Sequence, residues 1–197
     1  MTATDRLRVA VIIGSTREGR FAPTVADWFV ARAAEARPDL AIDVIDLAEA
    51  DLPLTMTAFG QPRPEPVATL APRLAEADAF VIVTPEYNQG YPAPLKNALD
   101  YLYAEWLDKP VGFVSYGMTS GGMRAVQQLK PVVSALGMVP VNAAVVVHLR
   151  QTVDEHGTFT PGPGIHDAAH GTLDELLRLA SALRTLREPA DTAAALG

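Results

Sequence analysis

Cysteine is absent from this 197-residue chain. That excludes disulfides, thiol nucleophiles, cysteine-ligated iron–sulfur clusters and cysteine-type zinc sites. Any electron transfer must therefore use a bound cofactor. Long apolar runs are missing as well: no stretch approaches the ~18 residues that a membrane helix needs. The N-terminus, MTATDRLRVAVIIGS, lacks the layout of a signal peptide, because its apolar run is short and leads straight into a polar loop. These features predict a soluble, cytoplasmic protein with no membrane partner. Basic charge is not in excess either. The formal net charge is −7, which disfavours nonspecific nucleic-acid binding, since a phosphate backbone demands a basic face. A local cationic site is still open to an acidic protein, and Arg17 with Arg20 would make one.

What is present is globular in composition: 49% of residues are hydrophobic and 20% charged. The length suits one domain over residues 1–197, with 188–197 expected to be a frayed tail. Apolar β-like runs occur at 7–13, 41–47, 78–84, 111–116 and 139–148. Helical periodicity lies between and after them: from about 22, over 67–77, from 93 to 106, over 123–136 with an expected kink or restart at Pro131, and over 167–187. Residues 51–66 carry four prolines and a glycine. They read as an ordered loop, with Leu54, Met56 and Phe59 available to cover something, or as a plain surface connection. Residues 149–165 form a Gly/Pro-rich connection without periodicity.

Strands that are mostly continuous apolar runs, alternating with helices, indicate a parallel sheet covered on both faces. Right-handed crossovers then give an α/β doubly wound three-layer sandwich of five parallel strands, order 2-1-3-4-5. Ligands in such sheets bind beyond the carboxyl ends of the strands, at the switch point between strands one and three. The loops leaving strands one, three and four are Gly14–Arg20, Pro85–Pro92 and Ser115–Gly122. They are also the most unusual stretches of the chain.

The first, Gly14-Ser15-Thr16-Arg17-Glu18-Gly19-Arg20, joins a strand to a helix and is rich in hydroxyl and guanidinium donors. That arrangement suits a phosphate at a helix N-terminus. Gly14 and Gly19 have the spacing of a nucleotide-triphosphatase loop, but Arg20 and Phe21 stand where Lys and Ser/Thr are needed. The G-x-G-x-x-G dinucleotide fingerprint is absent, and a cysteine-based phosphatase loop is excluded. A singly phosphorylated ligand bound without metal remains, beside the plainer reading of an ordinary turn with surface arginines. In the second loop, Pro85 stiffens the backbone, Tyr87 offers a flat face, and Asn88 supplies a donor and an acceptor. In the third, Gly117, Gly121 and Gly122 would allow backbone to approach a ring edge.

At these residues the chain resembles the NADPH-dependent FMN reductases, a flavodoxin-like group that includes quinone, azo-dye and chromate reductases. GSTREGR at 14–20, TPEYNQGYPAPLKNALDYL at 84–102 and SYGMTSGGMRAVQQLKPVVSALG at 115–137 carry the resemblance, which spans about residues 7–148. It implies that Ser15 and Arg17 bind the FMN phosphate. Arg20 would add charge there or reach NADPH. It implies that Pro85, Glu86, Tyr87 and Asn88 line the isoalloxazine, and that Ser115, Tyr116 and Gly117 approach its other side with Gly121 and Gly122. The implied activity is an FMN-dependent NAD(P)H oxidoreductase of ping-pong order. Its acceptor would be a flavin, a quinone, an azo or nitro compound or a metal oxyanion, with NADPH or NADH as co-substrate. Members are typically homodimers or homotetramers, and 95–106 resembles the dimerising helix.

No catalytic side chain is assigned, because hydride transfer to a flavin does not require one; Glu86 and His148 are set aside on that ground. His166 and His170 lie four apart but lack a third ligand, and no metal site is assigned. The alternatives are a flavodoxin-like electron carrier without its own nicotinamide site and a flavin-free sensor domain on the same fold.

Overall fold

Five strands alternate with helices in the computed structural model, which describes residues 6–58 and 60–187. The strands are β1 (Arg8–Ile13), β2 (Ala41–Asp46), β3 (Ala79–Pro85), β4 (Pro110–Gly117) and β5 (Val139–His148). The helices are α1 (Ala22–Ala36), α2 (Leu47–Ala50), α3 (Glu65–Glu76), α4 (Ala93–Tyr101), α5 (Met123–Ala135), α6 (Leu149–Thr152) and α7 (Pro163–Arg187). All four strand pairs are parallel, in the order β2-β1-β3-β4-β5. This is the flavodoxin-like sandwich that the apolar runs predict.

Period-two alternation distributes each strand between two cores. Val9, Val11, Ile13, Val81, Val83, Val114 and Tyr116 pack with α1 and α7. Ala10, Ile12, Phe80, Ile82 and Phe113 pack with α3, α4 and α5. β3 is buried at every residue, as expected of a strand central to the sheet.

Some boundaries differ from the periodicity. α4 ends at Tyr101 because Leu102 turns extended. Trp106 still reaches the core, where its Nε1 donates to Leu99 O in the final turn of α4 at 3.2 Å. Its ring meets Phe80 edge-on, centroids 4.9 Å apart. Pro131 does not break α5, and Pro72 sits inside α3. Both are exposed, so the absent N–H of each faces solvent. The 149–162 connection holds α6 and a small hairpin, with Thr160 N donating to Thr152 O at 2.7 Å. In the 51–64 loop Leu54 and Met56 are exposed; Phe59 and the 188–197 tail lie outside the described residues.

The N-terminal edge of the sheet is closed by charge. Asp78, just before β3, accepts from Arg8 N at 2.9 Å and from Arg187 Nη2 at 2.9 Å, which ties the end of α7 beneath the sheet. Lys109, just before β4, is buried and donates to the Leu74 and Ala75 carbonyls, each at 2.8 Å. It thereby satisfies orphan acceptors at the end of α3. Burial lowers its pKa to about 8, against a free value of 10.5. Between those values the unfolded chain holds a proton that the folded chain has released, so stability rises with pH through that window. Between pH 8 and 10, denaturant unfolding is expected to show this rise, of at most about 3 kcal/mol. Lys109→Met should abolish it, and an unchanged slope in the variant would assign the rise elsewhere.

Candidate active site

The β1 loop begins with Gly14 N donating to Val83 O at 2.9 Å, so the β1–β3 ladder runs one residue into the turn. A turn closed by Arg20 N to Arg17 O, 3.1 Å, and Gly19 at φ 66 then lead into α1. α1 has no side-chain cap on its first amides and no acidic residue in its first turn. Its positive end is therefore left open beside the loop, a favourable place for an anion.

The three loops converge as the topology requires. A 330 Å³ cleft is lined from the first by Arg17 and Arg20, from the second by Pro85, Glu86 and Tyr87, and from the third by Tyr116, Gly117 and Met118. Glu18 and Gly19 of the first loop, with Phe21 and Leu149, complete it. A 460 Å³ recess beside β2 carries Asp46, Glu49, Asp51 and Glu65, an acidic lining unsuited to phosphate.

Ser15 is fully buried, and its Oγ shares a 2.7 Å hydrogen bond with Tyr87 Oη. Arg17 lies over the Tyr87 ring, 5.9 Å from its centroid. It forms no ion pair among the described residues. Arg20 instead pairs with Asp46 at the end of β2. Tyr116 is 4% exposed. Burial raises its pKa well above the usual tyrosine value, the neighbouring Tyr87 adds to this, and Ser15 and Arg20 partly offset it. Ser15 Oγ is already engaged by Tyr87, which leaves Tyr116 Oη without a hydrogen bond. A buried donor left in that state costs free energy unless something enters the cleft to accept from it.

The second loop is a miniature hairpin. Tyr87 N donates to Gly90 O at 2.8 Å and Gly90 N to Tyr87 O at 3.0 Å, with Asn88 and Gln89 at positive φ of 49° and 70°. Asn88 stands exposed at its tip. Gln128 Nε2 on α5 donates to Gln89 O at 3.0 Å and steadies the turn.

The third loop folds back on its own strand. Ser115 Oγ donates to Gly121 O at 2.8 Å. Gly122 has φ 87, and a Cβ there would sit 2.7 Å from both Ser115 Cβ and Tyr116 N. Only glycine fits. At Gly121 a Cβ would meet Val146 Cγ1 at 2.4 Å and the His148 ring at 3.3 Å.

Glu86 joins the second and third loops. Its carboxylate accepts from Ser120 Oγ, from Arg124 N at 3.1 Å and from Arg124 Nη1 at 3.3 Å. The N-cap position of α5 is Gly122, which has no side chain, so Glu86 caps the helix from another loop.

The structure thus brings Ser15, Arg17, Arg20, Pro85, Glu86, Tyr87, Tyr116 and Gly117 together at one cleft or immediately behind it. Ser115, Gly121 and Gly122 shape its wall, and Asn88 stands apart. Sequence reasoning missed Phe21, Met118 and Leu149 as lining. It also missed the partners of Glu86 and Arg20, which lie 34 and 26 residues away. The Asp46 N-cap of α2 carried a signal, an Asp before LAEA; the ion pair carried none. His166 Nε2 contacts Pro161 O at 3.0 Å and its ring meets Trp28 edge-on, so it is part of the packing between α7 and α1. No group of three His, Asp or Glu side chains placed for a metal occurs among the described residues. No helix among them is long and apolar enough to cross a membrane.

Loss of the α5 cap should be measurable. Glu86→Ala is expected to lower stability by about 1–2 kcal/mol in urea unfolding, with Glu86→Gln closer to wild type. Equal stability of the alanine variant would show that the cap is dispensable.

The chain is similar to known proteins along most of its length. A family model described as NADPH-dependent FMN reductase matches residues 7–152. An NAD(P)H-dependent FMN reductase of Schizosaccharomyces pombe is 42% identical over 139 residues, 66% of this chain and 68% of the relative. The NAD(P)H-dependent FMN reductase LOT6 of Saccharomyces cerevisiae is 32% identical over 200 residues, 92% of this chain and 99% of the relative. Among solved structures, the flavoenzyme NAD(P)H:(acceptor) oxidoreductase FerB of Paracoccus denitrificans superimposes with a TM-score of 0.67 at 25% identity, covering 87% of this chain and 98% of that one. The chain belongs to the NADPH-dependent FMN reductase family, and is an oxidoreductase that works with FMN and NAD(P)H.

Proposed function

We propose that this protein is an NAD(P)H:quinone oxidoreductase that holds FMN in the cleft between the β1, β3 and β4 loops. The observation that carries this reading is the unpartnered Tyr116 hydroxyl beside the open N-terminus of α1. Together they form a donor set that a phosphate monoester would satisfy. Ser15 and the first amides of α1 add neutral donors, and Arg17 adds charge. Pro85, Glu86 and Tyr87 would flank the ring on one side, and Gly117 and the Ser115–Gly122 wall on the other. Gly117 lets main chain come close there, and the positive φ of Gly121 and Gly122 holds the wall against β4. The residues present therefore fit FMN.

Bound there, FMN supplies two-electron chemistry, taking hydride from NAD(P)H and passing reducing equivalents to an acceptor. The chain's own residues bind, orient and exclude. Glu86 fixes the separation of the two ring-flanking loops through Ser120 and Arg124. Tyr116 stays protonated because burial raises its pKa, so it remains a donor at alkaline pH. Exposed Met118 leaves an apolar rim for a planar, weakly polar acceptor. A quinone is favoured by the relatives. An NADPH:quinone oxidoreductase of Arabidopsis thaliana is 33% identical over 129 residues, and a 2-hydroxy-1,4-benzoquinone reductase of a Burkholderia species is 31% identical over 161.

The same reading treats 1–197 as one reductase domain acting in the cytoplasm, where NAD(P)H is the available reductant. It treats the protein as a homodimer. Leu54, Met56 and Tyr103 are exposed around the α4 side. There the 51–64 loop is held by Tyr101 Oη, which donates to Pro53 O at 2.9 Å and to Thr55 O at 3.1 Å.

The test is reconstitution with FMN, followed by anaerobic mixing with NADPH. The flavin's visible band should bleach without a partner protein, and a benzoquinone should restore it. A band that persists would return the electron-carrier alternative, and bleaching without reoxidation by any quinone would remove the acceptor assignment. Arg17→Ala should weaken FMN retention by about tenfold or more while changing the rate of the loaded enzyme much less. Equal retention would mean that the β1 loop does not hold the phosphate.

A further inference from the structure

Arg20 is the second arginine of the β1 loop and lines the cleft, yet its charge is balanced inside the protein. It pairs with Asp46 at the end of β2, the two side chains being 20% and 12% exposed. Asp46 is itself held, its Oδ1 accepting from Ala48 N at 3.0 Å to cap α2. Arg20 Nε is buried without a partner. The Arg20 charge is nonetheless felt in the cleft, where it favours the ionised form of Tyr116.

Two arginines therefore face the expected phosphate, but only Arg17 arrives without a carboxylate among the described residues. An opposite charge beside a cation offsets part of its field at a third group. An anion in the cleft would feel Arg17, which has no ion pair among the described residues, and an Arg20 charge that Asp46 offsets in part, with Glu18 also on the lining. The strap also fixes where the loop ends, because it joins the last loop residue to the neighbouring strand, and β1 and β2 pair up to Ile13 and Asp46.

We infer that Asp46 is a specificity-determining residue: it neutralises Arg20 and thereby holds down the affinity of the site for the phosphate of FMN relative to the unphosphorylated flavin. This rests on the reading that the FMN phosphate lies at the β1 loop. It predicts an unusual sign, since removing an internal acidic group should tighten the cofactor.

The experiment is titration of flavin-free protein with FMN and with riboflavin, read by quenching of flavin fluorescence. Wild type, Asp46→Asn, Arg20→Met and the double variant are compared at low and high salt. Asparagine is as good an N-cap as aspartate, so Asp46→Asn keeps the α2 cap. Thermal unfolding of the flavin-free proteins reports whether each variant is folded. Asp46→Asn should bind FMN about three- to tenfold tighter, and Arg20→Met about as much weaker, because it leaves Asp46 uncompensated. The double variant should return to within about twofold of wild type. Riboflavin affinity should change by less than about twofold throughout, and the FMN differences should shrink at 1 M salt as screening increases.

Equal or weaker FMN binding by Asp46→Asn would overturn the inference. So would a double variant as weak as Arg20→Met, because Arg20 would then be a direct ligand. Parallel changes for riboflavin would also overturn it, by showing that the strap acts through shape. These outcomes concern variants of a protein that binds FMN. Wild-type protein that binds FMN no better than riboflavin would instead overturn the placement of the phosphate, and the inference with it.

Discussion

Parallel strands all start at the same end of the sheet, so every connection must cross over a face and return to that end. Here that constraint sends β1, β3 and β4 to the same carboxyl edge and sets their loops side by side. Crossovers run to opposite faces from β1 and β3, so the loops diverge and leave a crevice. The cleft is a consequence of the strand order rather than of any single motif. Loop chemistry then decides what the crevice can hold. An uncapped helix start, a buried hydroxyl without a partner and an arginine without an ion pair among the described residues are chemistry that suits an anion.

The site is rigid for reasons that reach beyond its own residues. The β1 and β3 loops are each tied to an element they do not connect, and the β4 loop is tied to the β3 loop. Arg20 is bound to β2, Gln89 O to α5, and Glu86 to both Ser120 and the start of α5. Asn88 and Gln89 hold left-handed conformations that these ties maintain. Such preorganisation lets a flavin site work without a catalytic side chain, since positioning is what the protein contributes.

The strand order and the convergence of the loops were legible in the sequence because they depend on short apolar runs and turn residues, which are local signals. The pairings inside the site were not. Whether Tyr116 faces α1 or α4 depends on the register of β4, and one residue of slip would have turned its hydroxyl to the other core. Glu86 as a distant helix cap and Asp46 as the partner of Arg20 are contacts between loops, and no periodicity encodes them. The helix predicted from 93 to 106 stops at Tyr101, and Trp106 reaches the core from beyond its end. Its burial follows from hydrophobicity, but a helix reaching it would have needed Leu102 to stay helical. The 149–162 connection was opaque because its hairpin is held by packing, Phe159 lying edge-on to both Phe21 and Trp28.

The two ends of the sheet satisfy their polar groups in opposite ways. At the amino end Asp78 accepts from a strand amide and from an arginine of the last helix, and Lys109 spends its amine on two carbonyls of α3. Those charges are engaged by partners within the fold. At the carboxyl end Tyr116 Oη and Arg20 Nε lack partners, and no side chain caps the start of α1. Leaving buried donors unsatisfied costs about 1–3 kcal/mol each, a cost the closed amino end and the two aliphatic cores can offset. A ligand that supplies acceptors there would recover that free energy on binding. Asp46 limits how far this goes: by occupying Arg20 it keeps the edge from carrying a second uncompensated cation, which would repel the neighbouring arginine in the absence of a phosphate.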